Sequence, residues 1–575
     1  MKSWTFCLLL LAALLSLSAC SKPKIYPLRW VYASNNLSDD SQVAELDSIV
    51  RVAAAHGLNG LYLSSGFDAI DLKQPEYFER LARIKSICDS LGMEIIPRCL
   101  DVGYNGGVLA HNKNLAEGLP VEETLFVVKK GEARVVADPP VGIVNGGFEK
   151  VVKKEIPGFT FGGPLDEIVF VDKTVVQEGK TALRFENFGG KEDNPGRLFM
   201  EIAVQPRRQY RLSLWVRTEG LDEANPFGSG RFRVEVLGGG ERPLSYYDPR
   251  VRTTQDWKQV VVGFNSKTYN SVKISIGVWR GKTGRFWVDD LRMEEIGLVN
   301  VLRRNGTPLT VRGEKSGITY EEGKDYDPVA DPELSFRFNH DGPQITIPAG
   351  SRIKESERLR VSYYHGMTVY QSQVTACMSE PEVYEIWRKD VQLIKQHLAP
   401  KKYFVSVDEV RAGGTCQACQ DRHLTMGQIL ADCIRKQEAI IHEIDPQAEI
   451  VIWSDMLDPN HNARPREGNY YYLVDDSFTG SWENLSKDLI IACWSFRMRR
   501  ESLDHFSSLG CRTLACGYYD EDSLANDSLW LEALDATPGA QGIMYTTWLD
   551  KYGLLGEFGD MVSSHQVPEK PGQKL

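Results

Sequence analysis

The chain lacks a basic run. Its 575 residues carry a formal net charge of −11. Nucleic-acid binding rests on clustered lysine and arginine, so a nucleic-acid partner is not expected. The chain also lacks a leading segment long enough to cross a bilayer, because the apolar run Phe6 to Leu17 falls short of the about 20 residues a spanning helix needs. It has no disulfide framework either. The 11 cysteines are scattered, and Cys99, Cys493 and Cys516 fall inside apolar, strand-like runs, the pattern of buried thiols. The motif Cys416-Gln417-Ala418-Cys419 has no second pair at zinc-ribbon spacing. It is therefore read as shaping its loop, by a disulfide or by packing, and not as a metal site.

What the chain does have begins at its start. Lys2 precedes the apolar run, which closes on Leu17-Ser18-Ala19-Cys20. This segment resembles a bacterial lipobox. The resemblance implies cleavage before Cys20 and a lipid on its sulfur, with the mature protein anchored in the bacterial cell envelope, facing the periplasm or on the cell surface.

Alternating strand and helix patterns follow. Leu28 to Ala33 reads as a strand and Asp40 to His56 as a helix, with Val43, Leu46, Ile49, Val50 and Ala53 at helical spacing and Gly57 as a stop. A second strand at Leu58 to Leu63, a helix at Pro75 to Leu91 and a third strand at Met93 to Pro97 repeat the unit. The alternation resumes with a helix at Glu380 to Leu398, a strand at Tyr403 to Glu409 and a helix at Met426 to Ile444. Four more strands follow, at Glu449 to Trp453, Leu489 to Trp494, Arg512 to Tyr518 and Gln541 to Trp548. Eight such strands predict an α/β chain folded as a (β/α)₈ barrel, interrupted after strand three by an all-β sandwich. The expected limits are 1–20 for the leader, 21–140 and 367–575 for the two parts of the barrel, 141–300 for the sandwich and 301–366 for a small β-subdomain.

The sandwich opens on Asn145-Gly146-Gly147-Phe148-Glu149 and closes on Phe286-Trp287-Val288-Asp289-Asp290. Those segments resemble carbohydrate-binding modules of the galactose-binding-like jelly-roll type. The resemblance implies a structural calcium held by Glu149 and Asp290, whose hard oxygen donors suit that ion. Trp215, Trp257, Trp279, Tyr246 and Tyr247 could stack on sugar rings, although tryptophan in a sandwich strand is more often core.

The chemistry gathers at the expected strand ends, which in a barrel of this kind face the active site. Strand four ends on Asp408-Glu409, strand five on Trp453-Ser454-Asp455, strand six on Cys493-Trp494, strand seven on Tyr518-Tyr519-Asp520-Glu521 and strand eight on Trp548-Leu549-Asp550. Strict alternation would turn Asp408 and Glu409 to opposite faces, so both reach one pocket only if the backbone leaves the pleat there. Tryptophan walls with carboxylates suit an oligo- or polysaccharide substrate.

These ends resemble the catalytic barrel of glycoside hydrolase family 20, the β-N-acetylhexosaminidases, with Asp455 and Asp550 standing where that family has glutamate. The resemblance implies substrate-assisted cleavage of 2-acetamido glycosides without a catalytic cofactor. Glu409 would be the general acid/base, its pKa raised by burial or by Asp408. Asp408 would orient the acetamido N–H, Tyr518 would donate to its oxygen, and Trp453, Trp494 and Trp548 would wall the pocket. The family's His-x-Gly-Gly before the acidic pair is absent, its first-strand arginine has no counterpart beside Trp30, and its third-strand histidine is replaced, if at all, by Tyr104. Two other readings stand beside this one. One is a retaining glycosidase with Glu409 as acid/base and Glu521 or Asp520 as nucleophile; the other is a non-catalytic glycan-binding lipoprotein.

Overall fold

The computed structural model describes residues 25–568 apart from 105, 154, 190–195, 224–230, 371 and 465–470. Cys20 and its lipobox lie outside the described residues. Eight parallel strands close into a barrel. In chain order they are β1 (Leu28–Ser34), β2 (Gly60–Ser64), β3 (Glu94–Cys99), β4 (Lys402–Val405), β5 (Glu449–Trp453), β6 (Ile490–Cys493), β7 (Arg512–Tyr518) and β8 (Ala540–Thr546). β1 pairs with both β2 and β8, which closes the ring. β3 pairs with β4, residues 100–401 lying between them in sequence.

A two-residue side-chain period builds the barrel wall. Trp30, Tyr62, Ile96, Phe404, Val451 and Trp453 fill the interior. Their neighbours Val31, Leu61, Ile95, Tyr403, Ile450 and Ile452 face outward and pack under the helices. Those helices begin and end where the chain dictates. Asp39 accepts the backbone N–H groups of Ser41 and Gln42 at the start of Asp40–Ala55, and Thr425 and Gln428 form a reciprocal cap on Met426–Ile444, leaving fewer unsatisfied donors in each first turn.

Residues between the third and fourth barrel strands form antiparallel sheets. Two of five strands each face one another. Along Gln209–Glu219, Tyr210, Leu212, Leu214 and Val216 point into the sandwich core. Trp215, Trp257, Trp279, Tyr246 and Tyr247 are all only half-buried, and of the five Tyr247 packs against that core. A further six-stranded sheet contains Thr310–Gly313 and Arg358–His365 from the expected small β-subdomain, and it also takes Leu119–Lys129 and Glu132–Val135 from before the sandwich.

The sandwich docks on the loop that follows β5. Arg242 donates to the carbonyls of Tyr472 at 2.7 Å and Val474 at 2.5 Å. At its other side, the two expected calcium ligands have separate protein partners. Glu149 accepts the backbone N–H of Lys180 at 2.6 Å and of Thr181 at 3.2 Å, whereas Asp290 pairs with Arg292 at 2.7 Å. It is Asp289 that turns toward the loop held by Glu149, accepting the N–H groups of Gln177 and Glu178 at 2.9 and 3.1 Å.

Candidate active site

The period that builds the barrel also builds its mouth. Continuing inward from Ile96 and Phe404, the next inward positions are Arg98, Ser406 and Asp408, and these three are joined. Arg98 Nε donates to Ser406 Oγ at 3.1 Å, and Ser406 Oγ donates to Asp408 Oδ1 at 2.6 Å. Arg98 is itself held by Asp68 at 3.1 Å and Asp101 at 2.7 Å. Arg98 thus brings a guanidinium from the third strand to the inner face of the mouth.

β4 ends at Val405, four residues short of Glu409. The backbone leaves the pleat there, with Glu409 in the left-handed region at φ 47°. Non-glycine residues seldom adopt that conformation. The chain is pressed from beside: a Cβ on Gly103 would lie 2.1 Å from the Asp408 carbonyl oxygen, so the neighbouring loop approaches closely only with glycine at that position. The turn brings Glu409 alongside Asp408 and into a clamp. Tyr104 Oη donates to its Oε2, Gln373 Nε2 donates at 2.9 Å, and Arg411 bridges both oxygens at 2.9 and 3.1 Å. Tyr104 is thus brought against the acidic pair. Asp455, two positions beyond the inward Trp453, is fully buried and accepts the Glu409 N–H at 3.0 Å and Asn462 Nδ2 at 3.0 Å.

The electrostatics divide these carboxyls. Burial pushes Asp408 up to about 6, with Asp101 and Glu409 adding to the rise and Arg98 and Ser406 opposing it. Burial, with the charge of Asp408 next, takes Asp455 up to about 7. Burial also raises Glu409, but the charge of Arg411 and the hydrogen bonds from Tyr104, Arg411 and Gln373 outweigh it and hold Glu409 below its ordinary value. The expectation of a raised pKa at Glu409 is therefore overturned: the sequence showed the burial and the adjacent Asp408, but not the guanidinium folded back onto the carboxylate.

The later strand ends contribute an aromatic cluster. Trp548, 41% exposed, lies with its ring centroid 5.4 Å from Tyr32, 5.8 Å from Tyr519, 6.3 Å from Trp453 and 6.4 Å from Trp494. Trp453, Trp494 and Trp548 are thus brought together. Tyr518 is not. Alternation from Leu514 and Cys516 would point it inward, but Tyr518, Tyr519 and Asp520 have φ values of 67°, 70° and 67°. Tyr518 consequently stacks on the outward-facing Tyr545 at 4.3 Å, while Tyr519 turns to the cluster and donates to the Trp494 carbonyl at 2.9 Å.

The remaining acids follow the last two barrel strands. Asp520 is buried and accepts hydrogen bonds from the Thr547 hydroxyl and, at 2.8 Å, the Trp548 N–H, tying β7 to β8. Glu521 and Asp550 are exposed.

Sequence reasoning missed several residues of the mouth. Arg98 and Ser406 carried a signal, the two-residue period. His461 carried none. It comes from the loop after β5, its ring lies 4.4 Å from Trp494, and burial lowers it to about 4. Arg411 is flanked by Tyr370 and Tyr472 at 4.8 and 4.9 Å, and Tyr370 lies 5.5 Å from Tyr246 of the sandwich.

No family model matches the chain, and no curated protein matches it. Among solved structures, a family 16 carbohydrate-binding module is similar at 18% identity over 27% of this chain and 99% of its own, with a TM-score of 0.19. A rhamnosidase from Novosphingobium sp. PP1Y is similar at 11% identity over 94% of this chain and 60% of its own, with a TM-score of 0.32. An arabinose-bound α-L-arabinofuranosidase is similar at 9% identity over 71% of each chain, with a TM-score of 0.22. At these scores none of them bears on the chemistry, which rests on the residues of the mouth.

Proposed function

We propose that this chain is a glycoside hydrolase whose reaction takes place at the barrel mouth, on a sugar carrying a 2-acetamido group. The observation that carries the reading is that the strand end bearing Asp408 and Glu409 is joined, through the Glu409 N–H on Asp455, to strand ends carrying the clustered rings of Tyr32, Trp453, Trp494, Tyr519 and Trp548. Rings of this kind stack on the apolar faces of sugars while carboxyls take their hydroxyls. Two carboxyls whose environments push their pKa values apart divide acid from base. Here the proton belongs to Asp408 and the charge to Glu409, the reverse of the roles read from the sequence. Asp408 would protonate the leaving oxygen and then recover its proton from the attacking water. Glu409, ionised, would hold the acetamido N–H while the acetamido oxygen attacks the anomeric carbon.

A panel of chromogenic glycosides with and without the 2-acetamido group tests this directly. The wild type should turn over the 2-acetamido members, and both Asp408→Asn and Glu409→Gln should lose that activity. Turnover confined to simple glycosides, abolished by Glu521→Gln, with a covalent glycosyl intermediate trapped on Glu521 of the wild type, would put a double-displacement mechanism in its place. The clamp on Glu409 favours one second reading, a glycan-binding lipoprotein without turnover, since both carboxylate oxygens are already engaged by Arg411, Tyr104 and Gln373 and must be shared to hold an acetamido N–H. Binding of the same glycosides with no hydrolysis is its signature.

The proposal extends to the envelope and to the sandwich. A diacylglyceryl group on Cys20, sought by mass spectrometry of the mature N-terminus, would place the enzyme on a lipid anchor; an unmodified terminus elsewhere would remove that part. A calcium ion with Glu149 and Asp290 among its donors rests on the opening and closing segments of the sandwich. To bind it, Asp290 must give up Arg292. Added calcium should raise the melting temperature of the sandwich by mass action.

A further inference from the structure

The CxxC motif finds its missing partners elsewhere in the chain. The Sγ atoms of Cys377, Cys416 and Cys419 and a carboxylate oxygen of Glu117 all lie within 4.8 Å of one another, and all four residues are buried. Cys377 Sγ is 3.4 Å from Cys416 Sγ and 3.6 Å from Cys419 Sγ. Glu117 Oε2 is 3.8 Å from Cys416 Sγ and 3.5 Å from Cys419 Sγ. The cysteines are free thiols, their sulfurs far outside the bonding length of about 2.05 Å. In a tetrahedral zinc site, metal–sulfur bonds of about 2.3 Å and metal–oxygen bonds of about 2.1 Å place neighbouring sulfurs about 3.8 Å apart and sulfur and oxygen about 3.6 Å apart. The four measured separations fall within about 0.4 Å of those edges.

We propose that Glu117, Cys377, Cys416 and Cys419 form a structural zinc site. Three soft thiolates with one carboxylate, closed to solvent, suit tetrahedral zinc and disfavour magnesium or calcium. The surroundings orient the donors. Glu117 Oε1 accepts the N–H groups of Thr415 at 2.7 Å and Cys416 at 2.9 Å and the Thr415 hydroxyl at 3.0 Å, which leaves Oε2 facing the sulfurs. Three thiolates and a carboxylate around a divalent ion leave two negative charges. The buried Arg304 offsets one of them, with Nη2 3.4 Å from Cys416 Sγ. That guanidinium is fixed by Glu380 at 2.7 Å and by the carbonyls of Asn114 and Ala116 at 2.7 and 2.9 Å. Such outer contacts set ligand orientation at metal centres. Binding is balanced by release of the thiol protons to solvent.

The site would pin three segments around the mouth, whichever reaction occurs there. Glu117 precedes the strand Leu119–Lys129, and Cys377 lies four residues after Gln373. The motif begins five residues after Arg411. Gln373 and Arg411 are two of the three side chains that clamp Glu409. The sequence concealed the site because its third and fourth donors lie far from the motif in the chain.

The full chain, purified without chelator, should contain about one zinc per molecule by elemental analysis. Replacement by cobalt should produce intense thiolate-to-metal absorption in the near ultraviolet with the strong visible bands of tetrahedral coordination. Thr415→Val, which removes one hydrogen bond from Glu117, should weaken metal affinity by about 10- to 100-fold. Cys377→Ser should weaken it further, and the cobalt spectrum of the wild type decides the matter even if that variant does not fold. Protein with negligible zinc and no cobalt–thiolate bands, or with a disulfide between Cys416 and Cys419 in its peptide map, would overturn the proposal.

Discussion

Arg411 folds back over a single intervening residue to grip Glu409, with Nη2 2.9 Å from Oε1 and Nη1 3.1 Å from Oε2. A two-pronged pair of this kind is among the stronger charged contacts in proteins. The rings of Tyr370 and Tyr472 hold the guanidinium in place. Arg411 opposes the rise that burial imposes on Glu409, because an opposite charge at this distance favours the ionised carboxylate. Arg411→Met should therefore move the acid limb of the kcat/KM profile upward, because the ionised form of Glu409 is the working one. An acid limb unmoved by the substitution would take Glu409 out of that role.

Asp408 carries the opposite expectation. Burial raises it to about 6. As the acid, it acts while protonated, so kcat/KM should be full below that value and fall as pH rises through it. Asp408→Asn should lower turnover by about 10²–10⁴, with substrates bearing good leaving groups least affected. A retained alkaline limb in the variant would assign that proton to another group, with Asp455, raised to about 7, the first to test.

Much of the mouth was legible because the barrel's period runs past the ends of its strands. The inward series Phe404, Ser406, Asp408 and the step from Trp453 to Asp455 are readable from spacing alone, as are Ala492 to Trp494 and Met544 to Trp548. The series failed where backbone conformation changed. Left-handed φ values at 518–520 exchanged Tyr518 for Tyr519, and the one at 409 returned Glu409 to the pocket. No pattern in side chains announces such a turn. Contacts between distant segments were hidden for a different reason. Arg411 on Glu409 and Cys377 beside Cys416 depend on loops whose course is set by packing, not by local propensity.

The aromatic cluster should separate binding from folding. Trp548 is the exposed member, 41% accessible, so Trp548→Ala should raise KM by roughly tenfold or less, the value of one aromatic contact, and leave the melting temperature nearly unchanged. Trp453 is 3% exposed and packs on Phe404 at 4.7 Å and Tyr62 at 5.8 Å. Trp453→Ala should instead cost about 3–5 kcal/mol of stability. Kinetics and calorimetry on the two variants check the contrast. A large loss of stability at Trp548 would make it a packing residue and weaken the case for a sugar platform.

Away from the mouth, Asp390 gives the barrel a pH dependence of its own. It is fully buried on the helix Pro381–Leu398. Burial, reinforced by Asp68 and Asp71 and opposed by Lys389, raises its carboxyl to about 9. Between its ordinary value near 3.8 and this raised one, the folded state keeps a proton that the unfolded state has released. Stability therefore falls as pH rises across that window, by up to about 1.4 kcal/mol per unit. Asp390→Asn cannot ionise and removes that slope. The variant's advantage in melting temperature over the wild type should be small near about pH 5 and grow toward about pH 8. An advantage that stays constant over that range would mean that Asp390 is ionised in the folded barrel and finds its compensation in Lys389.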